Sequence, residues 1–267
     1  MTRSELATEV TRHDPYRLAG KRVLITGASR GLGRSCAEAF AKAGCKVLLA
    51  ARAKAQLEEV RASLDSPEEH AIYAGDLTRL EAVEALAAAV EAFGELDVLL
   101  HVMGGGLGLT EPLLGWEAFE TLFRTNLGSA AELNRRLIPR MVERKSGNVV
   151  LVGSIASSEA VGSVGYNSIK AALAAYTRTL GRKMAETGVI VTGILPGGFW
   201  APDNVMARFQ QRDPEQLEQI IAQRYPRKRL GDAAEIIPLM MFLASRQATM
   251  MTGCCVPIDG GEGLAYV

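Results

Sequence analysis

Histidine and cysteine are scarce in this chain of 267 residues, with three of the first (His13, His70, His101) and four of the second (Cys36, Cys45, Cys254, Cys255). No C-x-x-C spacing occurs and the thiols have no histidine-rich company, so a zinc cluster is not expected and no metal site is assigned. Buried or structural thiols are the simpler reading, and unpaired thiols suit a reducing cytoplasm. Net charge is also missing. Thirty Lys and Arg residues offset thirty Asp and Glu, leaving no overall field to draw the chain to nucleic acid or to a membrane. No run approaches the roughly eighteen apolar residues of a membrane helix. The opening MTRSELATEVTRHDPYRLAG lacks the apolar stretch of a secretion signal. A soluble cytoplasmic protein is expected. Linkers, repeats and low-complexity tracts are absent as well. One domain over residues 20–267 is expected, with residues 1–19 as a polar N-terminal extension.

What the chain does have is hydrophobic residues, 48% of the total, in a regular arrangement. Short apolar runs at 22–26, 46–50, 70–75, 96–102, 148–153 and 189–195 read as buried strands, with CVPID at 255–259 as a weaker seventh. Segments of helical periodicity lie between them, including two long ones at 116–144 and 164–186. Near-continuous apolar strands alternating with helices predict an α/β chain, a doubly wound parallel seven-stranded sheet with helices on both faces. Such sheets bind ligands outside the carboxyl ends of their strands. That singles out the loops at 27–33, 51–53, 75–78, 103–108, 154–163 and 196–205.

The first of these loops is VLITGASRGLGRS. Gly27, Gly31 and Gly33 allow close backbone approach to a pyrophosphate, whose charge the following helix N-terminus favours. Glycines also make tight turns with no ligand, but the position after the first strand of an α/β chain favours a dinucleotide. After the second strand, LLAARAK has no carboxylate to hold a ribose diol, as an NAD site usually does. Arg52 and Arg30 instead suit a 2′-phosphate, which favours NADP(H), unless both are merely solvated. Asp76, in GDLT, is an acceptor for the adenine amine or a helix-capping residue.

The stretch VLVGSIASSEAVGSVGYNSIK carries the chemistry. Tyr166 and Lys170 stand four apart at the start of a helix and share one face. Ser154 ends the fifth strand, within reach of the same point. A phenol with a pKa near 10 is a poor acid–base group at neutral pH, and a nearby ammonium stabilises its ionised form. Lys170 is therefore expected to depress Tyr166 and to grip a ribose hydroxyl, and Ser154 to orient a carbonyl oxygen.

With TGASRGLG, GDL, TNLGSA, GSIAS, YNSIK, LPGG and IDGG in order, the chain resembles the short-chain dehydrogenase/reductase family over about residues 20–262, nearest in type to 3-oxoacyl-acyl-carrier-protein reductases. The resemblance implies a Rossmann fold and an Asn-Ser-Tyr-Lys tetrad at Asn126, Ser154, Tyr166 and Lys170. It implies cofactor contacts from Gly27, Ser29, Arg30, Gly31, Leu32 and Gly33, then from Arg52, Asp76, Leu77 and Gly104. Pro196, Gly197 and Phe199 complete that set together with Tyr166 and Lys170. The implied reaction moves a hydride between NADPH and a ketone or aldehyde, with Ser154 fixing the oxygen and Tyr166 giving the proton. A non-catalytic module that senses NAD(P) on the same fold is the alternative.

Two departures stand out. His101-Val102-Met103-Gly104 replaces the family's NNAG, so His101 either substitutes for bonds that brace the sheet or leaves the geometry altered. Without metal partners, a structural substitute is favoured over a ligand. Ala201 stands where a cofactor-fastening Thr is common. The glycines Gly104-Gly105-Gly106 read as clearance beside the nicotinamide ribose and not as a second phosphate cradle. Gly105, Ile155 and Trp200 are expected to face the substrate, beneath a lid over 199–229 built on a polar helix. The substrate is expected to be a small carbonyl or alcohol compound: a 3-oxoacyl thioester, with Arg140, Arg144 and Lys145 as a docking patch for acyl carrier protein, or a secondary-metabolite or sugar ketone. Apolar faces on the two long helices predict a homodimer or homotetramer.

Overall fold

The computed structural model describes residues 14–265. Seven strands form one wholly parallel sheet: β1 (Arg22–Thr26), β2 (Lys46–Ala51), β3 (Ala71–Ala74), β4 (Val98–His101), β5 (Gly147–Val152), β6 (Val189–Pro196) and, last in the sequence, Cys255–Ile258. Their order is β3-β2-β1-β4-β5-β6 and then Cys255–Ile258. The chain winds outward from β1 in one direction and then restarts on its other side with β4. The loops after β1 and β4 therefore part at the sheet centre, where an open α/β sheet has its binding crevice.

Alternation explains why the strands are apolar at nearly every position. Val23, Ile25, Val47, Leu49, Val98 and Leu100 enter one core, while Leu24, Leu48, Ala50 and Leu99 enter the other. The first core is closed by α1 (Gly31–Lys42) and α2 (Lys54–Ser63). The second is closed by α3 (Leu80–Phe93), α5 (Ser129–Glu143) and α6 (Val164–Met184). Each fully buried Leu, Ile or Val contributes about 1.5–3 kcal/mol of apolar burial, and both faces of the sheet are dry.

Four features differ from the sequence reading. The segment 116–144 is not one helix: α4 (Trp116–Phe123) meets α5 through a wide π-type turn at Arg124–Gly128 that contains Asn126. The lid has two helices, α7 (Val205–Arg212) and α8 (Pro214–Arg224), because Asp213 caps the second and Pro214 starts it. Phe199–Trp200 (β7) pairs with Gly231–Asp232 (β8) beside the main sheet. A further helix, α9 (Ala233–Leu243), starts at a capping box formed by Asp232 and Glu235 and packs on the first core. The final sheet strand, Cys255–Ile258, is thus β9. The expected N-terminal extension falls partly outside the described residues. Its end is integrated, with Leu18 buried in the first core and Asp14 accepting from the amides of Leu18 and Ala19.

His101 ends β4, buried, with Nε2 at 2.9 Å from Asn134 Oδ1, and Asn134 Nδ2 donates to the Tyr176 hydroxyl at 3.1 Å. A helix-to-sheet bond thus stands where the resemblance implies an asparagine that braces the sheet. Burial lowers the His101 pKa to about 4, against the opposing effect of its hydrogen bond to Asn134. The unfolded chain takes up this proton near pH 6.5, so the contribution of neutral His101 is complete above that value and is lost as pH falls to about 4. Urea unfolding should show a loss near 3 kcal/mol across that window from this group alone. In His101→Asn that part of the slope should vanish; an unchanged slope would exclude His101 as its source.

Candidate active site

The crevice begins at the glycine loop. α1 starts without a side-chain cap and with no acidic residue in its first turn, so its N-terminal amides and their partial positive charge face the crevice. Gly31 sits at φ +59°, and a Cβ there would meet only Asn204, at 3.7 Å. Arg52 is exposed beyond β2 and forms no ion pair among the described residues. Arg30, also exposed, pairs loosely with Asp203 at 3.4 Å. Asp76 Oδ1 accepts from the amide and hydroxyl of Thr78, which leaves its second oxygen outward. Leu77 is 2% exposed and lies in the second core, so only its backbone can serve a ligand.

At the other end, four side chains converge from three segments. Ser163 caps α6, its hydroxyl accepting from the Tyr166 amide and donating to Leu109 O. This fixes the first turn of α6 and with it Tyr166. One turn on, Lys170 is buried, and Nζ donates to Val152 O at the end of β5 at 2.9 Å. An ammonium has three donors, and this one bond leaves two for a ligand. Lys170 Nζ is 5.6 Å from the Tyr166 ring centre. Ser154 is extended after β5 and receives the Ala156 amide on Oγ at 3.1 Å.

Asn126 brings the glycine run into the site. Its Oδ1 accepts from Gly105 N at 2.9 Å, and its Nδ2 donates to Gly105 O and Leu122 O, both at 3.0 Å. A Cβ on Gly104 would lie 2.8 Å from Asn126 Oδ1 and 3.3 Å from Lys170 Nζ. Gly105, at φ +135°, faces open space. The run is therefore a close approach followed by clearance, beside the buried ammonium. An uncapped helix end, a run of small residues and an incompletely bonded Lys170 fit a dinucleotide laid across the sheet.

The family described as Enoyl-(Acyl carrier protein) reductase matches residues 27–262. The chain belongs to the short-chain dehydrogenase/reductase family. It is 33% identical over 254 residues to glucose 1-dehydrogenase of Gluconobacter oxydans, covering 92% of this chain and 94% of that one. To 3-oxoacyl-(acyl-carrier-protein) reductase FabG of Vibrio cholerae it is 30% identical over 247 residues, covering 91% and 98%. L-sorbose reductase from Gluconobacter frateurii, solved with NADPH and L-sorbose, superposes with a TM-score of 0.84 at 28% identity, over 93% of this chain and 98% of that one. The expected family, fold and nicotinamide class of cofactor are borne out.

Against the short-chain dehydrogenase/reductase pattern, three expectations change. In the protein alone, burial pushes the Tyr166 phenol up and only the hydrogen bond with Ser154 acts downward; the expected depression by Lys170 is not what dominates. Lys170 is itself lowered to about 8 by burial. Ala201 is buried in the first core, and the next residue donates no side chain: Pro202 O takes the Gly31 amide at 2.6 Å, fastening the lid through backbone. Of the expected patch of Arg140, Arg144 and Lys145, the two arginines are already matched, by Glu91 at 2.7 Å and Glu95 at 2.9 Å. The patch also sits where α5 runs into the start of β5, at the amino ends of the strands, opposite the crevice. Phe199 and Trp200 are half-buried in β7, while Ile155 is buried just after Ser154. Sequence reading passed over Glu262, a buried carboxylate behind Gly197 and Gly198. Its one signal was an acidic residue among the glycines of DGGEG.

The buried ammonium predicts a measurable linkage. Folded Lys170 loses its proton near pH 8 and the unfolded chain near 10.5, so unfolded molecules hold more protons in that window and stability rises with pH. The penalty of burying the charge is complete below pH 8. Compared with Lys170→Met, the wild type should gain up to about 3 kcal/mol between those limits. A difference in unfolding free energy that stays flat with pH would show that the ammonium is not desolvated.

Proposed function

We propose that the protein is an NADPH-dependent carbonyl reductase, or secondary-alcohol dehydrogenase in reverse, with Asn126, Ser154, Tyr166 and Lys170 as its working side chains. The observation that carries this reading is the convergence of Tyr166, Lys170 and Ser154 beside the open space at Gly105. Bound nicotinamide supplies the hydride to the carbonyl carbon, or takes it back in the oxidation. Tyr166 then gives its proton to the carbonyl oxygen, which balances the hydride and yields an alcohol. Ser154 holds that oxygen by a hydrogen bond. Lys170, charged below pH 8, supports the phenolate left behind and holds the ribose. Asn126 keeps the Gly104-Gly105 backbone clear of both.

Arg30 and Arg52 favour NADP(H) over NAD(H), because no carboxylate follows β2 and both guanidiniums are exposed at that edge. The residues expected to face the substrate, Ile155 and Trp200, together with Phe199, are apolar, which favours a ketone with an apolar flank. The names of the similar proteins speak of glucose, sorbose and 3-oxoacyl thioesters. The thioester reading is weakened here by the neutralised arginines at the far edge. A role limited to sensing the nucleotide leaves the Tyr166-Lys170 pair without purpose. We further infer a homodimer or homotetramer through α4 to α6, where Trp116 is 79% exposed and Leu113, in the loop before α4, 94%. A cytoplasmic setting agrees with four free thiols.

Tyr166→Phe should retain NADPH binding while turnover of ketones falls by about 10²–10⁴-fold, the usual contribution of a positioned acid. Candidate ketones, diketones, keto sugars and 3-oxoacyl thioesters can be compared by NADPH absorbance. Turnover at the wild-type rate would exclude Tyr166 as the acid. Arg30→Ala and Arg52→Ala should each weaken NADPH by about tenfold or more while leaving NADH little changed. Equal losses for both nucleotides would overturn the NADP(H) assignment.

A further inference from the structure

Glu262 lies four residues beyond the end of β9, with a side chain 1% exposed. A buried carboxylate needs partners, since an unpaired charge away from water is strongly unfavourable. Its two oxygens go to two different parts of the crevice. Oε2 accepts from Gly198 N at 2.6 Å, in the segment between β6 and β7. Oε1 pairs with Arg224 Nη2 at 2.6 Å, at the last residue of lid helix α8. Arg224 also reaches Val161 O in the loop that precedes α6.

The Gly198 backbone has no freedom to ignore this carboxylate. A Cβ on Gly198 would lie 2.1 Å from the Tyr225 hydroxyl, and one on Gly197 would lie 2.5 Å from Glu262 Oε2. The segment from Pro196 to Phe199 is thus pressed between the C-terminal turn and the residue that follows α8. Opening the lid withdraws Arg224 and leaves Glu262 a buried charge without a cation. Disorder in the 196–199 segment removes the one backbone amide that donates to Glu262 among the described residues.

We propose that Glu262 is a positioning residue that couples closure of the lid to the order of the segment holding the nicotinamide end of the cofactor. The assignment rests on the cofactor reading above. Glu262 touches no reacting atom; it acts through Gly198 and Arg224.

The test compares two probes of the same site: NADPH, followed by its fluorescence, and adenosine 2′,5′-bisphosphate, which has the adenosine and its 2′-phosphate but no nicotinamide. Glu262→Gln and Arg224→Gln should each weaken NADPH binding about tenfold, as expected for a lost charged hydrogen bond. The double variant should be no weaker than either single one. Arg224→Lys should restore most of the affinity, and the adenosine bisphosphate should bind all variants as it binds the wild type. Arg224 lies at the surface, so its variants test the proposal even where Glu262→Gln folds poorly. Equal weakening of both probes, or weakening of neither, would overturn it. A wild type that binds neither probe would instead overturn the cofactor reading, and this proposal with it.

Discussion

The amide of Asn126 and the backbone of Gly105 bond to each other in both directions, and the rest of the crevice is arranged around that clamp. One side chain satisfies the N–H and the C=O of a loop residue that would otherwise have neither in regular structure. The clamp needs two irregularities. The helix must open into a wide turn at Arg124–Gly128 to aim Asn126 at the sheet edge, as such turns often do at functional positions. Gly104 must lack a side chain, because the carboxamide oxygen occupies that space. With both in place, the loop after β4 lies flat against Lys170 and leaves Gly105 open to a ligand.

Around that clamp the protein maintains an arrangement that works against its own stability. An ammonium is buried beside a phenol that burial drives toward its neutral form. Neither group has its full set of partners in the protein alone. On the proposed function, a ribose and a carbonyl oxygen would supply the missing bonds, and substrate and cofactor would complete the network instead of merely filling a hole. Stability elsewhere offsets the deficit. The two dry faces of the sheet and the capped helix α9 do so at positions remote from the crevice.

Much of this was legible in the residues. Apolar runs placed all seven strands within two residues at either end, because a parallel sheet covered on both sides is apolar at nearly every position. The pairing of Tyr166 with Lys170 follows from helical spacing and capping by Ser163. Other features depend on contacts that adjacent residues do not reveal. Periodicity continues smoothly through Thr125-Asn126-Leu127, so the wide turn was invisible. The break between α7 and α8 was visible in Asp213-Pro214, as was the start of α9 in Asp232-Ala-Ala-Glu235, and both were passed over. The direction of the Tyr166 shift depended on burial, which no spacing rule supplies.

The two departures from the family pattern share one explanation: in each, a side-chain function has moved to a different kind of bond. His101 bonds across to Asn134, which in turn donates to the Tyr176 hydroxyl, so the centre of the sheet is braced from the second core. Ala201 gives no hydroxyl, and the neighbouring carbonyl of Pro202 instead takes the first amide of α1. That bond has a consequence for the phosphate cradle. With the Gly31 amide engaged by the lid loop, the anion is left the amides of Leu32 and Gly33, which have no partner within the helix. Lid and cradle thus share one helix end, the lid loop taking the first amide and leaving the next two to an anion.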